Sequence, residues 1–404
     1  MTNILISGGS VAGPALAFWL RAYGFNPTVV ERAPALRTGG YKIDIRGAAL
    51  EVVDRMGLRD EVARNGTDMR IARFVDATGR QLASMSAQLF GGREGDDVEI
   101  MRGDLARILY DATENDVEYL FDDSITALEE TADGVRVTFE NGPPRTFDLV
   151  VGADGLHSNV RALAFGEESA YIHDLGHYIS IFTVPNHLDL DRTEMMHPAP
   201  GRSAGMYSTG RSGDAKAMFL FASAPLSYDR RDIAEQRKLL AEIFAGQGWE
   251  VPRLLDAMAD APDFYLDSIS QVRMDAWSSG RVVLVGDAAY GPSPASGQGT
   301  SLALVGAYVL AGSLAAAAGD HRAGFAAYEN DMRHFVEENQ KLAANNLKGM
   351  VLKSAAQIRF QMFLLRLMPH LPGKDSMIKR VTEPIRKAAT AITLKNYQGD
   401  RTGR

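Results

Sequence analysis

The chain has no cysteine among its 404 residues. That excludes disulfide staples, thiolate metal sites, iron–sulfur ligation and a thiol nucleophile, so electron chemistry falls to a bound organic cofactor or another type of metal site. The eight histidines show no metal-ligand spacing. Their densest group, His173-Asp174-Leu175-Gly176-His177, lacks the helical H-E-x-x-H pattern, and no metal is expected. Long apolar runs are also missing: no segment supplies 18 uninterrupted apolar residues, and the opening MTNILISGG carries no basic leader or small-residue cleavage signal. Stable membrane insertion is not expected, and cytoplasmic residence is the default.

Positive charge is scarce through most of the chain and gathers at its end. Residues 341–404 hold 13 Lys/Arg against 3 Asp/Glu, whereas residues 1–340 hold 30 against 48. Such a tail can dock on the acidic body, pair subunits or touch an anionic surface, and the first is favoured. A monomer or homodimer is expected, without a nucleic-acid partner. At 46% hydrophobic, with 39 Gly and 16 Pro, the composition is that of an ordinary α/β protein.

Three glycine turns organise the body. Residues Asn3 to Ser7 read as a buried strand, followed by Gly8-Gly9-Ser10-Val11-Ala12-Gly13 and a helical run from Pro14 to Tyr23. This is a dinucleotide-binding βαβ pattern. Gly8 permits the tight turn, Gly13 permits close helix–strand packing, and the helix start with Ser10, Val11 and Ala12 offers amides to a pyrophosphate. Ser10 stands where a middle glycine is usual. Glu31, followed by Arg32, closes the next strand, where a carboxylate accepts ribose hydroxyls and opposes a 2′-phosphate. A second apolar strand, ending at Gly152, breaks into Asp154-Gly155 and leads to Arg161, a candidate for attracting phosphate charge. The third turn, Gly286-Asp287-Ala288-Ala289, follows Val282 to Val285 and leads through Gly297-Gln298-Gly299 into a long small-residue helix. Asp287 suits a ribityl hydroxyl, and the Gly297 to Gly299 amides suit charge developing on a flavin ring.

Taken in order, these turns resemble those of the para-hydroxybenzoate-hydroxylase-like, single-component FAD-dependent aromatic monooxygenases, a family that includes tetracycline-modifying enzymes. Arg102-Gly103-Asp104-Leu105 matches the family's arginine at a helix start, and the resemblance makes Arg102 a ligand to the FAD ribityl or pyrophosphate region. It assigns Pro294 to the oxygen-activation pocket and Gly297, Gln298 and Gly299 to the flavin ring. It further implies O2 and a transient nicotinamide donor, NADPH slightly before NADH. The sequence departs from the pattern at Tyr290, where His is common, at Ser293-Pro294, where two prolines are frequent, and at Ser301, a frequent Asn position.

The expected fold is α/β: a Rossmann-like FAD-binding domain (1–70, 101–170, 273–340), an inserted β-rich substrate domain (71–100, 171–272) and a basic helical C-terminal segment (341–404). Gly39 to Arg46 alternates like an extended edge near the cofactor, with Arg46 either on a phosphate or in an ion pair. His177, Tyr178, Met206, Tyr207, Phe219 and Phe221 are candidates for contacting a small aromatic or polycyclic substrate, and His197 and Arg211 for recognising a phenolate. Competing readings are a flavin dehydrogenase, a flavin halogenase, for which the W-x-W-x-I-P segment is missing, and a non-catalytic flavin-binding regulator.

Overall fold

The computed structural model describes residues 1–37, 39–210, 213–368 and 372–397. Ile4, Leu5 and Ile6 are fully buried in the strand Asn3–Ser7, which lies inside a six-stranded sheet. Its order is Ser278–Ser279, Val282–Leu284, Leu149–Gly152, Asn3–Ser7, Asn26–Glu31 and Glu118–Phe121, parallel except at the Ser278–Ser279 edge. The near-continuous apolar runs are explained by burial on both faces. The helices Ala12–Ala22 and Gly299–Ala316 pack together beside it, with Trp19 edge-on to Tyr308 at 4.8 Å. Gly299–Ala316 is long and apolar enough to cross a membrane, yet here it is an interior helix enclosed by its neighbours, which accounts for an apolar surface all round.

A second, seven-stranded sheet has the order Tyr265–Val272, Ile172–Pro185, Asp214–Ala222, Arg202–Ser208, Thr193–Ala199, Ile71–Val75 and Gln81–Ser86. Helices Ile233–Ile243 and Val251–Ala257 cover one face, burying Phe182, Phe219, Phe221, Leu240, Phe244 and Leu254. The expected boundary near residue 100 needs correction. Val98–Met101 crosses it as one strand and pairs with Lys42–Ile45, because alternation along both segments suits a two-stranded ribbon beside the body. Gly39 to Arg46 thus contains the extended strand that its alternation suggests.

The boundary at 340/341 is also corrected. A single helix, His321–Met350, runs through it, since the change in charge there coincides with no helix-breaking residue. Helices Ala355–Leu367 and Lys374–Ala389 follow. The chain then returns to the body, where Tyr397 packs on Tyr308 at 5.4 Å, Tyr308 donates a hydrogen bond to the Lys395 carbonyl and the Lys395 ammonium pairs with Asp331. Part of the basic segment therefore docks on the acidic body.

Candidate functional site

The three glycine turns meet at the carboxyl ends of the parallel strands, the place where open α/β sheets bind ligands. Gly8 has φ +114°, and a Cβ on it would lie 2.4 Å from the Ala153 carbonyl oxygen, so the first and second turns touch backbone to backbone. A Cβ on Gly13 would come within 1.9 Å of the Gly8 oxygen. The third turn approaches the first at Gly286, whose added Cβ would sit 3.3 Å from Ala12. Arg161, which is fully buried, ties the second turn to the third by donating to the carbonyls of Leu156 (2.6 Å) and Ala288 (2.9 Å). It is a brace between turns, which corrects its candidacy as a phosphate ligand.

Helix Ala12–Ala22 starts at Val11 without a side-chain cap, leaving its first amides to a ligand. Beside them Glu31 accepts from the Gly9 amide at 2.8 Å and the Ala33 amide at 3.0 Å. Arg32 is exposed, and Arg37 lies 3.7 Å from Glu31. The Arg37 guanidinium is held below its ordinary pKa by burial, with repulsion from Arg32 and Arg102 adding to this and Glu31 opposing it. Asp154 is turned inward, accepting from the Asn159 (2.9 Å) and Val160 (3.1 Å) amides at the start of Asn159–Phe165; burial pushes its carboxyl up and these bonds oppose the shift.

The side chains of Arg102 and Asp287 carry no hydrogen bond or ion pair among the described residues, although the Arg102 amide donates to the Tyr41 carbonyl at 2.9 Å. Arg102 lies over the Tyr41 ring at 5.7 Å. Asp287 is exposed between buried neighbours, and desolvation by the surrounding protein raises its carboxyl pKa while Arg102 lowers it. Pro294 and Gly297 are also exposed, and Gly297 has φ +66°. Gln298 is fully buried, yet neither its side-chain nitrogen nor its oxygen has a partner among the described residues.

A family profile described as "FAD binding domain" matches residues 1–343. The chain is 42% identical over 396 residues to a flavin-dependent monooxygenase of Legionella longbeachae serogroup 1 (strain NSW150), with 98% of each chain covered. It is 47% identical over 338 residues to a flavin-dependent monooxygenase of an unknown prokaryotic organism, covering 84% of this chain and 87% of that one. The chain belongs to the FAD-dependent monooxygenases. Among solved structures, the monooxygenase is similar to tetracycline destructase Tet(55), with 41% identity and a TM-score of 0.84 over 98% of this chain and 99% of that chain. Its similarity to tetracycline destructase Tet(51) has a TM-score of 0.86 at 36% identity, covering 98% and 100% of the two chains.

The residues present fit FAD. Free helix-start amides and the mutually repelling guanidiniums of Arg32, Arg37 and Arg102 suit a pyrophosphate, and a carboxylate at Glu31 suits a ribose. Arg37 here, and Gln340 and Asn346 on the helix His321–Met350, are residues that sequence reasoning missed. Arg37 was visible only as one more cation in a polar loop.

The sheet corrects several expected substrate contacts. Met206, Phe219 and Phe221 are 0–1% exposed and point into the helix-covered core, and Tyr178 stacks on Phe221 there. His197, bonded to the Val75 carbonyl at 3.1 Å, lies beside Trp249, which packs against that same core. Because side chains alternate along a strand, the other face carries Lys216, Met218, Leu220 and Tyr207. Tyr207 accepts from the Lys42 amide at 3.3 Å. His177 is half-buried and bonds the Leu175 carbonyl. Arg211 lies outside the described residues. Arg46 also proves internal: buried, it donates to Asp44 (2.7 Å) and to the Gly91 (2.6 Å) and Gly92 (2.8 Å) carbonyls, which corrects its expected contact with a phosphate in favour of the ion pair.

The long helix His321–Met350 clamps the loop that carries Pro294 to Gly299. Asn346 donates to the Ala295 carbonyl at 2.8 Å, while Gln340 reaches the Val272 (2.8 Å) and Tyr290 (3.3 Å) carbonyls. Ala343, Leu347 and Val351 pack on Ala295 together with Leu220 and Ile269. Ser293 sits at φ 84°, a conformation closed to proline and strained for serine, and its hydroxyl accepts from the Ala295 amide. Asn346→Leu is expected to lower kcat/KM roughly fivefold to tenfold and to alter the bound-flavin absorbance spectrum while the flavin-to-protein ratio stays near one, because it removes one hydrogen bond of about 1 kcal/mol and leaves the packing on Ala295 in place. Steady-state kinetics and the visible spectrum check this.

His157 joins the second turn to the seven-stranded sheet, bonding Glu168 and Asp267, each at 2.9 Å, with Arg230 also on Glu168. Burial disfavours its cation, but the two carboxylates outweigh burial and raise its pKa. A raised folded-state pKa contributes stability below about pH 6.5, the ordinary histidine value, and that contribution is lost as pH rises through the higher folded value. Urea midpoints should therefore fall between pH 6 and pH 9 more steeply in the wild type than in His157→Gln; parallel curves would refute this linkage.

Proposed function

We propose that the protein inserts one atom of O2 into a fused polycyclic phenol or enol, driven by NADPH in preference to NADH. What supports this substrate class is similarity to tetracycline destructases that extends over 98% of the chain, the C-terminal helices included, at 36–41% identity. In this reading, Gly8, Ser10, Val11, Ala12 and Gly13 receive the FAD pyrophosphate, Glu31 holds the adenosine ribose, and Arg32, Arg37 and Arg102 neutralise the phosphates. Asp287 accepts a ribityl hydroxyl, and Asp154 shapes the turn that supports the first one. The amides of Gly297, Gln298 and Gly299 lie along the flavin ring, with Pro294 bounding the oxygen side.

FAD, when bound, supplies hydride acceptance from the nicotinamide and activation of O2. The chain's own work is positioning and exclusion of water. Over one turnover, reduced nicotinamide, a proton, O2 and substrate give oxygenated substrate, water and oxidised nicotinamide. The face of the sheet that carries Tyr207 and the half-buried Lys216 and Met218, rather than the Phe219 face, is turned toward the ligand in this reading. Cytoplasmic residence accords with the need for reduced nicotinamide.

The test is turnover under 18O2 with NADPH or NADH, offering tetracycline-type, other fused polycyclic and simple phenolic substrates, read by mass spectrometry. A product carrying one 18O from a fused polycycle is the expected result. Labelling of simple phenols alone would replace the substrate class, and oxidation without label would move the dehydrogenase reading ahead.

A further inference from the structure

Helix Ala355–Leu367 is apolar on two opposite sides. Ile358 and Met362, with the partly buried Leu365, turn inward onto Ala83, Leu82 and Phe74 around the edge strand Gln81–Ser86. Phe360, Phe363, Leu364 and Leu367 recur at i, i+3, i+4 and i+7, so they form one stripe, and at 3.6 residues per turn that stripe faces away from the first. They are 64%, 60%, 43% and 38% exposed. Single exposed apolar residues need no explanation, but a continuous stripe of four large ones marks an interaction surface.

The charge around it has one sign. From Asn339 to Lys374 the sequence holds six Lys/Arg and no Asp or Glu, although the preceding body has an excess of carboxylates. Arg359 and Arg366, seven residues apart and both exposed, flank the stripe on the same side, and neither has an ion-pair partner among the described residues. Lys353, just before the helix, is exposed as well.

We propose that this outer face docks reversibly onto an anionic lipid surface. Phenylalanine and leucine side chains enter the headgroup–acyl boundary, while the flanking guanidiniums meet lipid phosphates, the arrangement that holds an amphipathic helix in the plane of an interface. The acidic body is repelled by the same surface and turns outward, which fixes the orientation of the molecule. A second copy is a poorer occupant. Two such faces brought together set Arg359 and Arg366 against their own equivalents, with no carboxylate in the stretch to neutralise them. The observation is separate from those that support the oxygenation reaction.

The full-length, FAD-loaded protein is mixed with vesicles of equal parts phosphatidylglycerol and phosphatidylcholine, or of phosphatidylcholine alone, and bound protein is read by flotation. Expected is binding to the anionic vesicles only, weakened in 0.5 M salt. Binding should fall at least about tenfold in Phe360→Ser/Phe363→Ser and roughly as much in Arg359→Gln/Arg366→Gln. These positions point away from the fold, so flavin content and the urea midpoint should stay at wild-type values and identify the loss as one of docking. Absence of binding by flavin-loaded wild-type protein overturns the proposal. So does equal binding by the phenylalanine variant, or a concentration-dependent dimer in sedimentation that the same variant abolishes, which would assign the face to a second copy.

Discussion

Gly13→Ala should yield protein that retains little FAD and unfolds at a clearly lower urea concentration. The added Cβ would stand 1.9 Å from the Gly8 carbonyl oxygen, a backbone atom that cannot rotate away, and 3.4 Å from Ile6. Relief requires the helix Ala12–Ala22 to lift from the strand Asn3–Ser7, which opens the first turn and carries its free amides away from the pyrophosphate position. Overpacking of this kind costs about 3 kcal/mol or more, a large share of the 5–15 kcal/mol that stabilises an ordinary domain. Gly155→Ala is the comparison. Its φ is +84°, but nothing lies within 4 Å of the added carbon, so only the left-handed backbone is strained, at about 1 kcal/mol. Urea midpoints and the ratio of flavin to protein absorbance should rank wild type, Gly155→Ala and Gly13→Ala in that order. A wild-type midpoint and full flavin content in Gly13→Ala would contradict the close-packed turn.

Lys42→Met is expected to destabilise the protein by about 3–5 kcal/mol, the usual cost of leaving a buried ion without its partner. The Lys42 ammonium pairs with Glu194 on the seven-stranded sheet, lies 3.8 Å from Glu99 on the neighbouring ribbon strand, and sits over the Tyr207 ring at 4.9 Å. Burial works against its charge, but the two carboxylates more than compensate and raise its pKa. Glu99 also pairs with Arg93, whose second carboxylate is Asp44 at 3.2 Å. The lysine thus joins the ribbon Lys42–Ile45/Val98–Met101 to the sheet that faces it. Removing both charges in Lys42→Met/Glu194→Leu should recover much of the loss, because no uncompensated Glu194 remains. Chemical denaturation of the two single variants and the double variant closes the cycle, and strictly additive losses would show that the pair is not coupled.

The turns were legible in the sequence because glycine is demanded by the backbone itself. Gly8 and Gly286 have positive φ, and Gly13 leaves no room for a side chain, so residue type and local geometry coincide. Orientation within the sheet was not legible in the same way. Ala217-Met218-Phe219-Leu220-Phe221 is apolar at every position, and without polar alternation nothing distinguishes the helix-covered face from its opposite. The buried arginines misled for a different reason. A guanidinium announces a need for oxygen atoms but not their source, and Arg161 finds the Ala288 carbonyl 127 residues away. Asn346 and Gln340 were invisible as loop clamps, since a helical amide shows its partner only once the helix has been placed against the loop.

The interleaving of the central sheet sets a timetable for synthesis. Asn3–Ser7 leaves the ribosome first, but one of its two neighbours, Leu149–Gly152, follows almost 150 residues later, and Val282–Leu284 completes the adjoining edge only after the whole seven-stranded sheet has been translated. The helix that anchors Ala295 comes later still. A nascent chain can therefore offer FAD the first turn early, but no closed cradle. A chain truncated anywhere before that helix would hold the strand Asn3–Ser7 and its turn but no Asn346 to bind the Ala295 carbonyl.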